Sequence, residues 1–287
     1  MPKPLHAVLR VVCPDRPGLV ADLSALLFRL GANLLHADHH LDPEANTFFQ
    51  RVEFAPPAHL PEGREGLSRT IRDAGEGFGM KVSLSFSDER PRVAILCSKW
   101  DHCVIDLLAR HRAGELACEL PLVLSNHKDL ELEVTRRGYE FVHEPIVDGD
   151  KAGQELRVQE RLGKARVDLV VLARYMQILS PDFVAKWPLK VINIHHSFLP
   201  AFAGADPYRQ AYRRGVKLIG ATSHYVTKDL DEGPIVYQDV SRVSHRDAVE
   251  DMQRKGRDLE RVVLAQALRW HLQDRIIAYG NKTVVFE

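Results

Sequence analysis

Cysteine is scarce in this chain. Cys13, Cys97, Cys103 and Cys118 are the only four in 287 residues, and no two of them form a Cys-x-x-Cys pair. That pattern argues against thiolate zinc sites and redox motifs, and it suits a reducing compartment better than a disulfide framework. Long apolar runs are also missing, and the N-terminus MPKPLHAVLR is not a secretory signal. The chain is therefore expected in the cytoplasm, without a membrane partner. Charge of one sign is absent too: 39 Lys and Arg balance 39 Asp and Glu. A nucleic-acid binder normally carries a basic excess, so no nucleic-acid partner is expected. No strand-like segment runs into Gly-x-Gly-x-x-Gly, which disfavours a dinucleotide oxidoreductase. What is present, 45% hydrophobic and 27% charged residues, is ordinary for a globular protein of one large or two average domains.

The first 86 residues read as a small α/β unit. Leu5 to Val12 is strand-like, Pro14-Asp-Arg-Pro-Gly18 breaks the chain, and Leu19, Leu23, Leu26, Leu27 and Leu30 recur at helical spacing up to a C-cap at Gly31. Asn33–Leu41 and Thr47–Phe54 read as strands around a turn, Leu67–Phe78 as a second helix and Lys81–Phe86 as a last strand. This βαββαβ order predicts a ferredoxin-like domain over 1–86. His36, Asp38 and His40 share one face of a strand, but no further ligand cluster accompanies them, so they are read as a polar surface and no metal is expected.

Ser85–Pro91 reads as a linker, and 91–287 as a second domain. Strands at Arg92–Cys97, Leu120–Ser125, Glu140–His143, Val167–Ala173 and Lys190–His195 alternate with helices at His102–Arg112, Lys128–Arg137, Lys151–Ala165 and Pro181–Trp187. Two more strands (Val216–Val226, Ile235–Val243), a long helix (Ala248–Leu272) and a terminal hairpin at Gly280-Asn281 follow. Such alternation predicts a doubly wound, mostly parallel sheet that binds its ligand beyond the strands' carboxyl ends.

Two stretches stand at such places. Asn193-Ile-His195 closes a strand, and residues i and i+2 of a strand point the same way, so both side chains reach one cleft. Asp231 lies in the Gly- and Pro-bounded loop Leu230-Asp-Glu-Gly-Pro234. An amide, an imidazole and a carboxylate together can polarise a carbonyl and move protons, which points to acyl-group chemistry. His196 should face away from His195, and His224, in the strand before the Asp231 loop, is assigned a supporting hydrogen bond.

Asn193-x-His195, Ser197-x-Leu-Pro200 and Leu230-Asp231-x-Gly-Pro234 together resemble the formyltransferase family that uses 10-formyltetrahydrofolate, over roughly residues 92–240. The resemblance implies that Asn193, His195 and Asp231 are the catalytic set. It also implies that Met176, Gln177, Ile178 and Leu179 line the folate pocket, with Gln177 where arginine often stands. Cys13-Pro-Asp-Arg-Pro-Gly-Leu-Val20 resembles an ACT domain. That implies a possible small amino-acid effector, with Asp15 facing its ammonium group and the helix start at Gly18 its carboxylate, and a homo-oligomer paired through the small domain.

The acceptor is read from the surroundings. The segment Cys97-Ser-Lys-Trp-Asp-His-Cys103 has no glycine to cradle a phosphate, and Trp100 and Asp101 oppose a dianion. With Ser125-Asn-His127 and Ala173-Arg-Tyr-Met-Gln-Ile-Leu-Ser180, the whole chain resembles the deformylase branch of the family, which hydrolyses 10-formyltetrahydrofolate to tetrahydrofolate and formate for one-carbon and purine metabolism, without a cofactor. Asp206 departs from that pattern, since a basic residue often occurs there. Transfer to an unrecognised small acceptor, and amino-acid sensing by a non-catalytic relative, are the alternatives.

Overall fold

The computed structural model describes residues 5–57, 62–201 and 207–287. The chain divides into two units: Met1–Glu89 with Gln273–Ile277 and Val284–Glu287, and Arg90–Leu272 with Ala278–Thr283.

In the small unit β1 (Ala7–Pro14), α1 (Leu19–Arg29), β2 (Asn33–Asp42), β3 (Thr47–Ala55), α2 (Gly63–Gly77) and β4 (Lys81–Phe86) follow one another. The sheet order is β2-β3-β1-β4 with every pairing antiparallel, as the ferredoxin-like reading requires. Alternation explains the core: Leu9, Val11 and Cys13 of β1 pack with Leu23 and Leu27 of α1, Ile71 of α2 and Phe54 of β3. Each such side chain stabilises by about 1.5–3 kcal/mol relative to exposure. The other face carries Arg10 directly opposite Arg51, and like charges so placed repel. Asp274 resolves this. It pairs with Arg10 at 3.0 Å, and its carbonyl accepts from Arg51 Nε at 2.9 Å. The carbonyl of Gln273 accepts a further Arg51 N–H at 2.9 Å. The chain's last residues thus supply acceptors to the small unit, where the sequence suggested that 91–287 forms one body.

The large unit opens with β5 (Arg92–Cys97), α3 (His102–Arg112), β6 (Glu119–Ser125), α4 (Glu131–Thr135), β7 (Phe141–His143), α5 (Lys151–Lys164) and β8 (Leu169–Ala173). It continues with α6 (Pro181–Lys186), β9 (Val191–His195), α7 (Pro207–Arg214), β10 (Leu218–Tyr225), β11 (Ile235–Arg242) and α8 (Val249–Leu272); β12 (Ile276–Tyr279) and β13 (Lys282–Val285) end the chain. The sheet order is β11-β10-β9-β8-β5-β6-β7. The strands from β9 to β7 pair in parallel, whereas β10 and β11 pair antiparallel. β8 is buried along its whole length at the centre, with Val158 and Leu162 of α5 and Phe183 of α6 in its core.

Two elements differ from the sequence reading. The helix expected over Lys128–Arg137 shortens to α4, because i→i+3 bonds from Glu131 N to Lys128 O and from Gly138 N to Thr135 O turn the chain at both ends. Helix α7 was not foreseen. It buries only Pro207, Tyr208 and Ala211, too few apolar positions to show a helical stripe. Among the described residues no helix is long and apolar enough to cross a membrane.

Candidate active site

Strand β9 ends between a parallel neighbour and an antiparallel one. Across the antiparallel pair Asn193 stands opposite His224, and His195 opposite Thr222. His224 Nδ1 lies 3.0 Å from the carbonyl of Tyr225. A carbonyl only accepts, so Nδ1 carries the hydrogen and Nε2 of the neutral ring is the acceptor. It accepts from Asn193 Nδ2 at 3.2 Å. Burial holds the His224 pKa below its usual value, against the Tyr225 carbonyl and Asp231, which pull it up. The neutral ring thereby fixes the Asn193 amide and leaves its second N–H for a ligand.

Asp231 reaches the same place from the loop between β10 and β11. It adopts a left-handed conformation, φ 58°. Gly233 follows because nothing larger fits: a Cβ there would lie 1.7 Å from the Tyr225 carbonyl oxygen. The Tyr225 N–H donates to Pro234 O at 2.9 Å, which ties the loop back to the strand. Asp231 Oδ1 then lies 3.3 Å from His195 Nδ1 and 3.7 Å from His224 Nε2. The bond from His195 holds the Asp231 carboxyl below its usual range, burial opposes this, and the nearby histidines add to the lowering. With Nδ1 on the carboxylate, His195 has Nε2 as its remaining ring nitrogen. That atom is buried and has no partner among the described residues.

These groups line a cavity of about 590 Å³ together with Met176, Gln177, Ile178 and Leu179. Met176 and Ile178 keep more than half of their surface exposed, an apolar wall left without protein cover. Its backbone is clamped on several sides. Met176 N–H donates to Ser98 Oγ at 3.1 Å, Ser180 N–H to Glu155 Oε1 at 2.9 Å, and Lys151 Nζ to the Ile178 carbonyl. Every site residue expected in the second domain is thus brought to one cavity. Asp15 and Gly18 belong to the small unit. Asp15 is exposed, and Gly18, φ 89°, caps α1 beside an Arg16–Asp22 pair at 2.8 Å. Asp206 and the Phe202–Gly204 end of the first motif lie outside the described residues.

Sequence reasoning missed part of the cavity wall. His196 does not face away: β9 stops at His195, alternation ends there, and the two rings stack at 5.1 Å with His196 also on the cavity. Burial, then the charges of Arg174 and His195, push the His196 pKa down to about 4. Glu260 of α8 was missed as well, although a carboxylate four residues beyond Gly256 and three before Val263, both buried, stands on the helix's buried side. It binds His102 Nε2 at 2.8 Å and Tyr208 Oη at 3.0 Å. His102, Cys103 and Glu260 lie close enough to share a metal ion, but their chemistry does not fit one. The Glu260 oxygens are engaged, and burial holds the Cys103 thiol well above its usual pKa, away from the thiolate a metal requires. Among the described residues, His36, Asp38 and His40 join no such cluster.

A formyl transferase family model matches residues 91–268, and an ACT domain model residues 7–62. Over 282 residues the chain is 50% identical to a formyltetrahydrofolate deformylase of Synechocystis sp., covering 98% of this chain and 99% of that protein. The chain belongs to the formyltetrahydrofolate deformylase family. The Bacillus subtilis member is 49% identical over 279 residues, spanning 97% of this chain and 93% of its own length. A crystal structure of the deformylase from Pseudomonas syringae pv. tomato superposes with a TM-score of 0.96 at 44% identity, over 100% of this chain and 96% of that one. Deformylase relatives therefore match both units in one chain.

Proposed function

We propose that this chain hydrolyses 10-formyltetrahydrofolate to tetrahydrofolate and formate, with Asn193, His195 and Asp231 as the catalytic set and no metal or organic cofactor. The observation that carries this reading is the His195 ring, oriented by Asp231 through Nδ1 with Nε2 left free in the cavity. As water attacks the formyl carbon, Nε2 takes its proton. The C–O bond forms, and negative charge gathers on the formyl oxygen, where the free Asn193 N–H donates. Collapse breaks the bond between carbon and N10, and the His195 imidazolium returns its proton to that nitrogen. Tetrahydrofolate leaves, and formic acid ionises to formate. Asp231 stabilises the imidazolium between the two steps. Met176, Gln177, Ile178 and Leu179 hold the folate ring, and His224 positions Asn193.

Water as the acceptor is supported by the turn after β5, where Ser98-Lys-Trp-Asp101 offers no glycine and Trp100 lines the cavity. Incubating the pure protein with 10-formyltetrahydrofolate and no added acceptor, before and after chelation, is the test. Stoichiometric formate in both is expected. No formate, with tetrahydrofolate and a formylated acceptor appearing only when an acceptor is supplied, or activity lost on chelation and restored by zinc, would refute the reading.

The small unit is proposed as a regulatory and assembly module. Strand β2 is an edge of ten residues whose side chains are exposed or half-exposed up to Asp42, and proteins normally cover such an edge. We place a homo-oligomer contact there. A small amino acid is proposed at the Asp15–Gly18 turn, where the N-terminal N–H groups of α1 suit its carboxylate and Asp15 its ammonium group.

A further inference from the structure

Glu260 is almost wholly buried, and several features of the large unit serve it. Gly256 lies one turn earlier on α8, and a Cβ there would meet Tyr208 Oη at 1.9 Å, so the glycine lets that hydroxyl reach Glu260. Burial pushes the Glu260 pKa up, but the bond from His102 and the charges of Arg174 and His102 outweigh it and hold the carboxyl ionised. Arg174, directly after β8, adopts φ 60°, a left-handed conformation that is costly for a non-glycine residue. It brings Nε to 3.5 Å from Glu260. Hydrolysis by Asn193, His195 and Asp231 does not by itself call for any of this.

The arginine is under-bonded. Seven buried side-chain atoms among the described residues lack a hydrogen-bond partner, and four of them belong to this cavity's walls: His102 Nδ1, Arg174 Nε, Arg174 Nη1 and His195 Nε2. Arg174 Nε keeps only its 3.5 Å ion pair with Glu260, and Nη1 has no partner among the described residues. A buried charged donor left unmet costs more than a neutral one, so Nη1 points to a ligand that supplies the acceptor. The acceptor this calls for is an anion, and among anions a planar carboxylate matches the guanidinium fork. Resting on the hydrolytic reading, we propose that Arg174 forms a subsite for a small carboxylate, the product formate, with Glu260 as the group that holds the guanidinium. Formate is then taken up at the Arg174 and Glu260 wall of the cavity and leaves separately from tetrahydrofolate.

The test uses the full-length protein and ¹³C-formate. Binding is followed by NMR line broadening, with nitrate as an isosteric competitor, and tetrahydrofolate binding is followed by fluorescence. Wild type should bind formate saturably. Arg174→Lys, which keeps the charge but loses the fork, should weaken formate about tenfold or more. Arg174→Gln combined with Glu260→Gln removes both charges, leaves no buried carboxylate unpaired, and should abolish formate binding. Tetrahydrofolate affinity should change little in either variant, which also shows that they fold. Formate affinity equal to wild type in a variant that still binds tetrahydrofolate, or no saturable formate binding by wild type, would overturn the subsite. Formate bound through Arg174 by a wild type that releases none from 10-formyltetrahydrofolate would instead refute the hydrolytic reading and leave the anion site standing.

Discussion

At the scale of single residues, the site depends on which nitrogen of each histidine carries the proton. Tyr225 O fixes His224, and Asp231 fixes His195. Asp231→Asn keeps the shape but removes the charge that orients and stabilises the His195 imidazolium. Turnover should fall by about a hundredfold or more while the melting temperature stays close to wild type, because a loop residue leaves no core cavity. The Asp231 carboxyl titrates below its usual range, so it stays ionised from pH 5 to 8 and its protonation should not shape the rate there. His196 has a linkage of the same sign, but its window lies at higher pH. Its folded pKa is depressed from 6.5 to about 4, so the unfolded chain takes up the proton first as pH falls. Its contribution is intact above pH 6.5 and should be lost progressively towards pH 4, by up to roughly 3 kcal/mol at about 1.4 kcal/mol per unit. Urea unfolding at pH 7 and pH 5 reads this through Trp100, Trp187 and Trp270, all in the large unit. His196→Gln should flatten the dependence.

At the scale of elements, the loop from Thr227 to Pro234 matters as much as the residue it presents. Gly233 sits against the Tyr225 carbonyl, so Gly233→Ala must move the loop and carry Asp231 with it. A displacement of about 1 Å can cost a hundredfold in rate. A fall in kcat of that order is expected, with unchanged tryptophan fluorescence showing that the unit still folds. The sequence made this motif legible because Gly-Pro after a carboxylate marks a constrained loop. The short α7 was not legible, since Tyr208 and Ala211 alone cannot define a helical face. Nor was the inward turn of His196: alternation foretells direction only while a strand lasts, and β9 ends one residue earlier.

At the scale of the whole molecule, the exposed edge β2 and the small unit set the expectations. Light scattering at micromolar concentration should show an oligomer. Leu35→Lys, a charge added at an exposed position of that edge, should shift it towards monomer. Calorimetry with glycine and methionine should detect binding of at least one, weakened by Asp15→Ala. Coupling to the cavity should change an affinity by about 5- to 150-fold, corresponding to 1–3 kcal/mol. No binding of either, with unchanged kinetics after residues 1–86 are removed from a protein that stays soluble, would leave the small unit an assembly module.

The sequence by itself determined the order of the elements apart from α7, because hydrophobic period and turn residues are local properties. It also determined the residues of the proposed catalytic set, because Asn193 and His195 share one strand and Asp231 sits in a recognisable loop. Only the tertiary structure decided that His224 lies directly across from Asn193, since strand register is a long-range property. The same holds for the cluster of His102, Arg174, Tyr208 and Glu260, which come from four separate segments. It holds again for Gln273 and Asp274, whose carbonyls serve Arg51 of the small unit. In each case a buried polar group needs a partner, and the chain supplies it from a distance that no local pattern records.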